Sequence, residues 1–147
     1  MTLSAAEIAQ DFLSVVWDNK TPTIEVLSQS LDRLLARSHE IAFAECSDED
    51  RDPPKIDGPA LYQEVAARFP DLGMYPVADP LGPIDDKKMM ADAIDDIADI
   101  TRDLREVIWR EVHLGASDAN WCFRLMFFHW GRHARELSLY LHARQFG

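Results

Sequence analysis

The sequence predicts an all-α fold: a bundle of four longer helices and one short helix, with a long Pro-rich ordered loop. Apolar residues recur every three or four positions in five segments, which indicates amphipathic helices. Clusters of Pro, Gly and Asp separate these segments, and we find no convincing strand pattern. The 147 residues are 47% hydrophobic, so we expect a single domain, residues 1–147, with one core.

The first two helices carry recognisable start signals. Ser4 followed by Glu7 is a capping-box pattern, so the first helix is predicted over 4–18. The second begins after "TP", where Pro22 suits the first turn, and its apolar face predicts a helix over 21–44.

The middle of the chain is dominated by loops. A short amphipathic helix is predicted over 59–69, because Pro70 ends it. The stretch "PDLGMYPVADPLGPIDD" that follows is too rich in Pro and Gly for a helix or a strand. It nevertheless holds apolar residues, including Tyr75, so we expect it to pack on the bundle and to border any site.

Two long helices complete the prediction. One is expected over 86–113, and "LGAS" then breaks the chain. The last helix is expected over 117–144, with Ser117 as its cap.

Charge and composition exclude several classes of function. The net charge is −11, which argues against binding nucleic acid or an anionic membrane surface. The first 20 residues lack the features of a signal peptide, and no window is apolar enough to span a membrane. Cys46 and Cys122 give no metal-binding spacing and no disulfide framework. We therefore expect a cytoplasmic protein with reduced thiols.

The fourth predicted helix carries a stripe of carboxylates. Asp92, Asp96, Asp99 and Asp103 follow the spacing i, i+4, i+7, i+11, so their side chains lie above one another on one face. Stacked carboxylates repel each other unless cations or water compensate them. The stripe is either a solvated face or one half of a polar contact.

The last predicted helix is apolar on two sides and basic between them. Its histidines are four residues apart, in a stripe with Cys122, Glu136 and Tyr140. A helix that is apolar nearly all round is central or carries an interface on its far side. A second copy of the chain could cover that side, so a homodimer is possible; the residues concerned are Trp121, Leu125, Phe128 and Leu139.

Register arithmetic brings the two stripes together. Antiparallel helices joined by a tight turn rise equally, so residues at one height have numbers that sum to about 231 here. Asp103 then lies level with about His129, and Asp99 with Arg132; Asp96 falls level with Arg135. We therefore predict a candidate binding cluster between the last two helices, formed by Asp96, Asp99, Asp103, His129, Arg132 and His133.

Several functions fit such a cluster. It could brace the helix pair, or bind a ligand or partner. As an alternative, the two histidines and facing carboxylates could hold zinc, manganese or iron and support metal-assisted hydrolysis, for example of a nucleotide or other phosphate substrate. No His-Glu-x-x-His motif occurs, and Arg132 would bring positive charge near an ion. The sequence therefore assigns no cofactor and no metal ligand.

Three segments occur in an order found in one bacterial family: "FPDLGMY", "DDIADITRDLRE" and "FHWGRHA". From Leu61 onward the chain resembles the family catalogued as domain of unknown function number five thousand and sixty-three. The resemblance implies a small all-α protein without an established activity, substrate or cofactor. Thr101 departs from the aromatic residue expected there. The matching positions are Asp95, Asp96, Asp99, Asp103, His129, Trp130, Gly131, Arg132 and His133.

Overall fold

The computed structural model describes residues 3–147 and shows a mainly α-helical bundle, which confirms the predicted fold class. The described residues form six α-helices, one π-helical turn and two short strands. In chain order these are α1 (Ala5–Trp17), α2 (Ile24–Ser38), α3 (Gly58–Arg68), β1 (Met74–Val77), β2 (Met89–Asp92), α4 (Ala93–Leu114), α5 (Ala116–Leu125), the π-helical turn (Phe127–Gly131) and α6 (Arg132–Phe146).

Side-chain caps determine where the first three helices begin. The Ser4 hydroxyl accepts a hydrogen bond from the Glu7 amide at 3.2 Å, as the capping pattern predicts. The α2 cap is Thr23 rather than the predicted Thr21. Asp57 caps α3 through the amide of Ala60 at 3.0 Å.

One continuous core is formed by α1, α2, α4, α5 and α6, with α3 packed against α4. Its largest fully buried side chains are Phe12, Phe123 and Trp130, together with Ile and Leu from α1, α2, α4 and α6. Among residues 3–147, no helix is long and apolar enough to cross a membrane.

The second helix ends six residues before its predicted end at Ala44, where one local and one tertiary contact occupy carbonyls of its last turn. Buried Ser38 donates its hydroxyl to the Leu35 carbonyl at 2.6 Å. The Arg124 guanidinium donates to the Ser38 carbonyl at 3.1 Å. Ile41 stays buried although it lies beyond the helix.

The Pro-rich loop contains a strand that the sequence prediction missed. Met74–Val77 pairs antiparallel with Met89–Asp92, and Tyr75 lies opposite Ala91. This pairing also explains why α4 begins at Ala93 instead of residue 86. The predicted helical start was therefore wrong, because those residues complete a β-hairpin.

The predicted last helix is divided into α5, the π-helical turn and α6. The buried Trp130 indole donates to the Phe123 carbonyl at 3.0 Å, which ties the turn to the end of α5. A Cβ atom at Gly131 would lie 2.2 Å from Cδ1 of the Phe127 ring. A side chain at residue 131 is therefore incompatible with this ring position. Such π-helical turns occur frequently at functional sites.

The Gly131→Ala substitution should destabilise the protein by about 1–3 kcal/mol, because overpacking forces the Phe127 ring to move. Urea unfolding measures this directly. At Gly58 an added Cβ meets nothing within 4 Å, so Gly58→Ala is the control and should cost nothing. Alanine normally favours a helix over glycine by about 1 kcal/mol, so a stabilised Gly131→Ala variant would contradict the packing described.

Candidate functional site

The candidate site lies where α4 faces the π-helical turn and the start of α6. The α4 helix presents Asp96, Asp99 and Asp103, spaced so that all three side chains share one face. Asp96 is 2% exposed and Asp103 is 6% exposed, so these carboxylates require partners.

Each histidine is held by one of the two buried carboxylates. His129 Nδ1 lies 2.6 Å from Asp103 Oδ2. His133 Nδ1 lies 2.6 Å from Asp96 Oδ1. An ionised carboxylate only accepts hydrogen bonds, so each Nδ1 carries the hydrogen. The Nε2 atoms are then the free nitrogens in the neutral rings.

Both Nε2 atoms point to the third carboxylate. Asp99 Oδ2 lies 3.0 Å from His133 Nε2 and 3.7 Å from His129 Nε2. The other oxygen, Asp99 Oδ1, lies 3.2 Å from a guanidinium nitrogen of Arg102. The two rings meet edge to face, with centroids 4.9 Å apart. The side chains of Asp99, His129 and His133 are 19%, 29% and 20% exposed, so solvent reaches this point.

The cluster strongly favours a proton on His133 when no other cation is present. Burial alone would lower the pKa of His133, but the hydrogen bonds and charges of Asp96 and Asp99 outweigh it and raise the pKa to about 10. Burial pushes the pKa of Asp99 upward, whereas His133 and Arg102 lower it to a value below the usual 3.8. The metal-free site is therefore a charged imidazolium bridging two carboxylates.

At two neighbouring carboxyls, burial outweighs the contacts that would lower the pKa. It raises the pKa of Asp103 despite the opposing contacts with His129 and Arg102. It also raises the pKa of Asp95, where the charge of nearby Asp99 adds to the effect. Ionisation of Asp103 and Asp95 is therefore less favourable than that of a carboxyl in water.

Asp99, His129 and His133 together have the geometry of a metal-binding trio. One ligand atom from each lies within 4.8 Å of the other two. Two ligand atoms bound tetrahedrally at zinc distances of about 2.0–2.1 Å lie roughly 3.3 Å apart. The observed separations of 3.0 and 3.7 Å between Asp99 Oδ2 and the two Nε2 atoms bracket that value.

Arg132, which the register arithmetic placed beside Asp99, lies elsewhere. Its guanidinium is half-exposed and forms an ion pair with Glu136, Nε to Oε1 at 3.4 Å. The arginine that contacts Asp99 is instead Arg102, which lies on the same helix as Asp99. Arg135, predicted level with Asp96, instead lies over the Phe127 ring at 5.8 Å. The arginine part of the predicted cluster was therefore wrong.

Asp92 belongs to the acidic stripe but not to the cluster. One of its oxygens caps α4 by accepting from the Ile94 amide at 2.9 Å. The other accepts from the Tyr62 hydroxyl at 2.5 Å. Its role is to fix the start of α4, which in turn places Asp96 one turn later.

Tyr75 is a site residue that sequence reasoning placed only at the rim. Its buried hydroxyl donates to Asp96 Oδ2, the oxygen not used by His133. Burial and the Asp96 contact raise the pKa of Tyr75, so the phenol remains the donor. The ring stacks on Tyr140 at 4.5 Å between centroids. The one sequence signal was an aromatic residue in a long ordered loop.

Cys122 shares the histidine stripe but is unsuited to nucleophilic chemistry. It is buried and donates to Glu106 Oε2 at 3.3 Å. Burial and the Glu106 charge raise the pKa of the thiol to about 12. A thiol with that pKa is protonated at neutral pH and inert.

The His133→Gln variant should show a stability loss that depends on pH in metal-free protein. The imidazolium stabilises the fold fully below about pH 6.5 and loses this effect as pH rises through about 10, since the folded pKa lies above the unfolded one. We expect a deficit of about 2 kcal/mol at pH 6 that shrinks towards pH 10. Urea unfolding in a chelator measures it.

The control for this experiment is His142→Gln, because His142 is exposed on the same helix. Its unfolding free energy should differ little from wild type at every pH. A deficit for His133→Gln that stays constant from pH 6 to pH 10 would contradict a bridging imidazolium.

Comparison with known proteins supports the fold but gives no information on the chemistry of the site. No family model matches the chain, and no curated protein matches it. The family resemblance seen in the sequence therefore stays a prediction. Among solved structures, protein BF1032 from Bacteroides fragilis is similar, with a TM-score of 0.69 and 15% identity over 97% of this chain and 93% of that chain. At this identity the similarity shows the fold alone.

Proposed function

We propose that this protein binds a divalent transition-metal ion through Asp99, His129 and His133. The observation that carries the proposal is the convergence of two histidine Nε2 atoms on one carboxylate oxygen, at 3.0 and 3.7 Å. Two imidazoles and one carboxylate are a ligand set used for zinc and non-haem iron.

The surroundings of both histidines support the proposal. Metal-binding histidines usually donate their other ring N–H to a carboxylate or carbonyl, which fixes the tautomer and the ring orientation. Here Asp103 and Asp96 hold the two Nδ1 atoms, each at 2.6 Å. A bracing pair would need only one such contact per ring; the additional convergence of the Nε2 atoms favours a bound cation.

Charge balance points to a divalent ion. Asp96, Asp99 and Asp103 contribute −3 when ionised, and Arg102 contributes +1. With neutral histidines the cluster carries −2, which one divalent cation neutralises. In the metal-free protein a proton on His133 performs part of this compensation, so metal and proton compete for the same nitrogen.

The ligand types narrow the choice of ion. Magnesium and calcium prefer oxygen ligands throughout, whereas imidazole suits zinc, iron, copper and nickel. A mixed His and Asp set therefore favours a transition metal. Three protein ligands also leave coordination positions for water or substrate, as in catalytic rather than structural zinc sites. The second candidate function is metal-assisted hydrolysis of a phosphate substrate. The open coordination positions and the solvent-accessible site support it.

The contacts of Asp96 and Asp103 with the two histidines form a polar seam. Bracing of the bundle by this seam is part of the same proposal, because the Nδ1 contacts join α4 to the π-helical turn and α6 with or without an ion. The same residues lie in the segments that resemble the bacterial family of unknown function. This resemblance adds no chemistry of its own.

Protein freed of metal with a chelator should bind one Zn²⁺ or Co²⁺ per chain. Binding should tighten as pH rises from 6 to 8, because the metal displaces the His133 proton. Isothermal titration calorimetry and the visible absorption of Co²⁺ measure this. His129→Asn, His133→Asn and Asp99→Asn should each weaken binding at least a hundredfold. His142→Asn is the matched control and should bind like wild type. Equal binding by wild type and a His129→Asn/His133→Asn double variant would show that the seam only braces the bundle.

The carboxylates behind the histidines should tune affinity without being ligands. Asp103→Asn retains a hydrogen-bond acceptor for His129 Nδ1 but removes the charge, so Zn²⁺ affinity should fall about 10–100-fold with unchanged stoichiometry. Competition with a chromophoric chelator measures the affinity. Glu111 is a half-buried acid on the same helix outside the cluster, and it offers the control Glu111→Gln. Equal losses for both variants would mean that overall charge, and not ring orientation, sets the affinity.

A further inference from the structure

An apolar cleft lies beside α6, apart from the Asp99–His129–His133 trio. It has a volume of about 1100 Å³ and separates β1 and the loop after it from the π-helical turn and α6. Its walls include Met74, Val77, Leu81, Phe128 and Leu139. None of the three proposed metal ligands lines it.

The apolar side chains around the cleft are unusually exposed. Phe128 is 73% exposed and Leu139 is 71% exposed on the helical wall. Leu81 is 96% exposed on the loop wall, and Ile84 on the same loop is fully exposed. Large contiguous apolar patches on a soluble protein usually mark a surface that another molecule covers.

Two of the four residues predicted to form an interface on the last helix belong to this surface. Phe128 and Leu139 belong to the cleft wall. Leu125 is 44% exposed but does not line the cleft. Trp121 is half-buried, and the Arg110 guanidinium lies 5.5 Å from its ring centroid. The face to be covered is therefore the cleft and its loop, not the whole far side of the helix.

The charge around the cleft differs from that of the whole chain. The protein carries −11 overall, so two copies repel each other over most of their surface. The charged side chains that line the cleft are Asp79, Arg132, Arg135 and Glu136, and their charges cancel. Two identical chains can meet at this face without net repulsion.

We infer that this face is the interface of a homodimer, in which the cleft mouths of two copies face each other. The concave cleft and Leu81, a largely exposed residue of its loop wall, belong to one face, so the surface can complement itself about a two-fold axis. A small apolar molecule could fill the cleft, but it would leave the protruding loop uncovered. A second copy would cover both parts, with its Leu81 packed on Phe128 and Leu139 of the first.

The test is the oligomeric state of the metal-free full chain, so that it is independent of the proposed metal site. Size exclusion with light scattering and sedimentation equilibrium should give twice the chain mass of 16.8 kDa at micromolar concentrations. Leu139→Glu and Leu81→Glu should each weaken self-association at least tenfold, because each buries a charge in the interface. Val112→Glu is the matched control: Val112 is 73% exposed on α4 and does not line the cleft.

Circular dichroism checks that each variant folds, and Leu81→Glu provides a second variant on the loop if Leu139→Glu does not. Three results would overturn the inference. One is a wild-type mass of 16.8 kDa up to 100 µM. Another is equal weakening by Val112→Glu and Leu139→Glu. The third is a single chain that native mass spectrometry finds loaded with a small apolar molecule, which would make the cleft a ligand site.

Discussion

Burial of negative charge on one face of α4 is the constraint around which this molecule is arranged. Asp96 and Asp103 are almost inaccessible to water, and an uncompensated buried carboxylate would cost several kcal/mol. Two histidines from the π-helical turn and α6 compensate them, each through a 2.6 Å contact. The pairing of α4 with α6 is thus held by a polar contact that only one helix register satisfies.

The same constraint extends to the β-hairpin. Asp96 accepts from His133 with one oxygen and from Tyr75 with the other. The hairpin is therefore attached to the bundle through the carboxylate that orients a proposed metal ligand. Tyr140 reinforces this attachment by stacking on Tyr75 and by accepting from the Gly73 amide. Movement of the hairpin and the position of His133 are physically connected.

Much of the site could be predicted because helices are regular. The spacing of the aspartates and histidines defines one stripe on each helix, and equal rise along two antiparallel helices gives the register. That arithmetic pairs Asp103 with His129, which lie 2.6 Å apart. It fails for Arg132, because a long side chain can pair with any of several nearby acids. Arg132 pairs with Glu136, one turn away on its own helix, and Arg102 pairs with Asp99. The Tyr75 contact could not be predicted, since it joins a loop to a helix.

By itself, the sequence determined the helical class, the capped start of α1, the position of the chain break before α5 and the two facing polar stripes. These follow from local preferences and periodicity, which act within a few residues. Only the tertiary structure decided that α2 ends at Ser38, that Met74–Val77 is a strand and that Phe127–Gly131 forms a π-helical turn. Each of these depends on a distant partner: the Arg124 guanidinium, the paired strand β2, and the core that buries Trp130. Local periodicity carries no information about such partners.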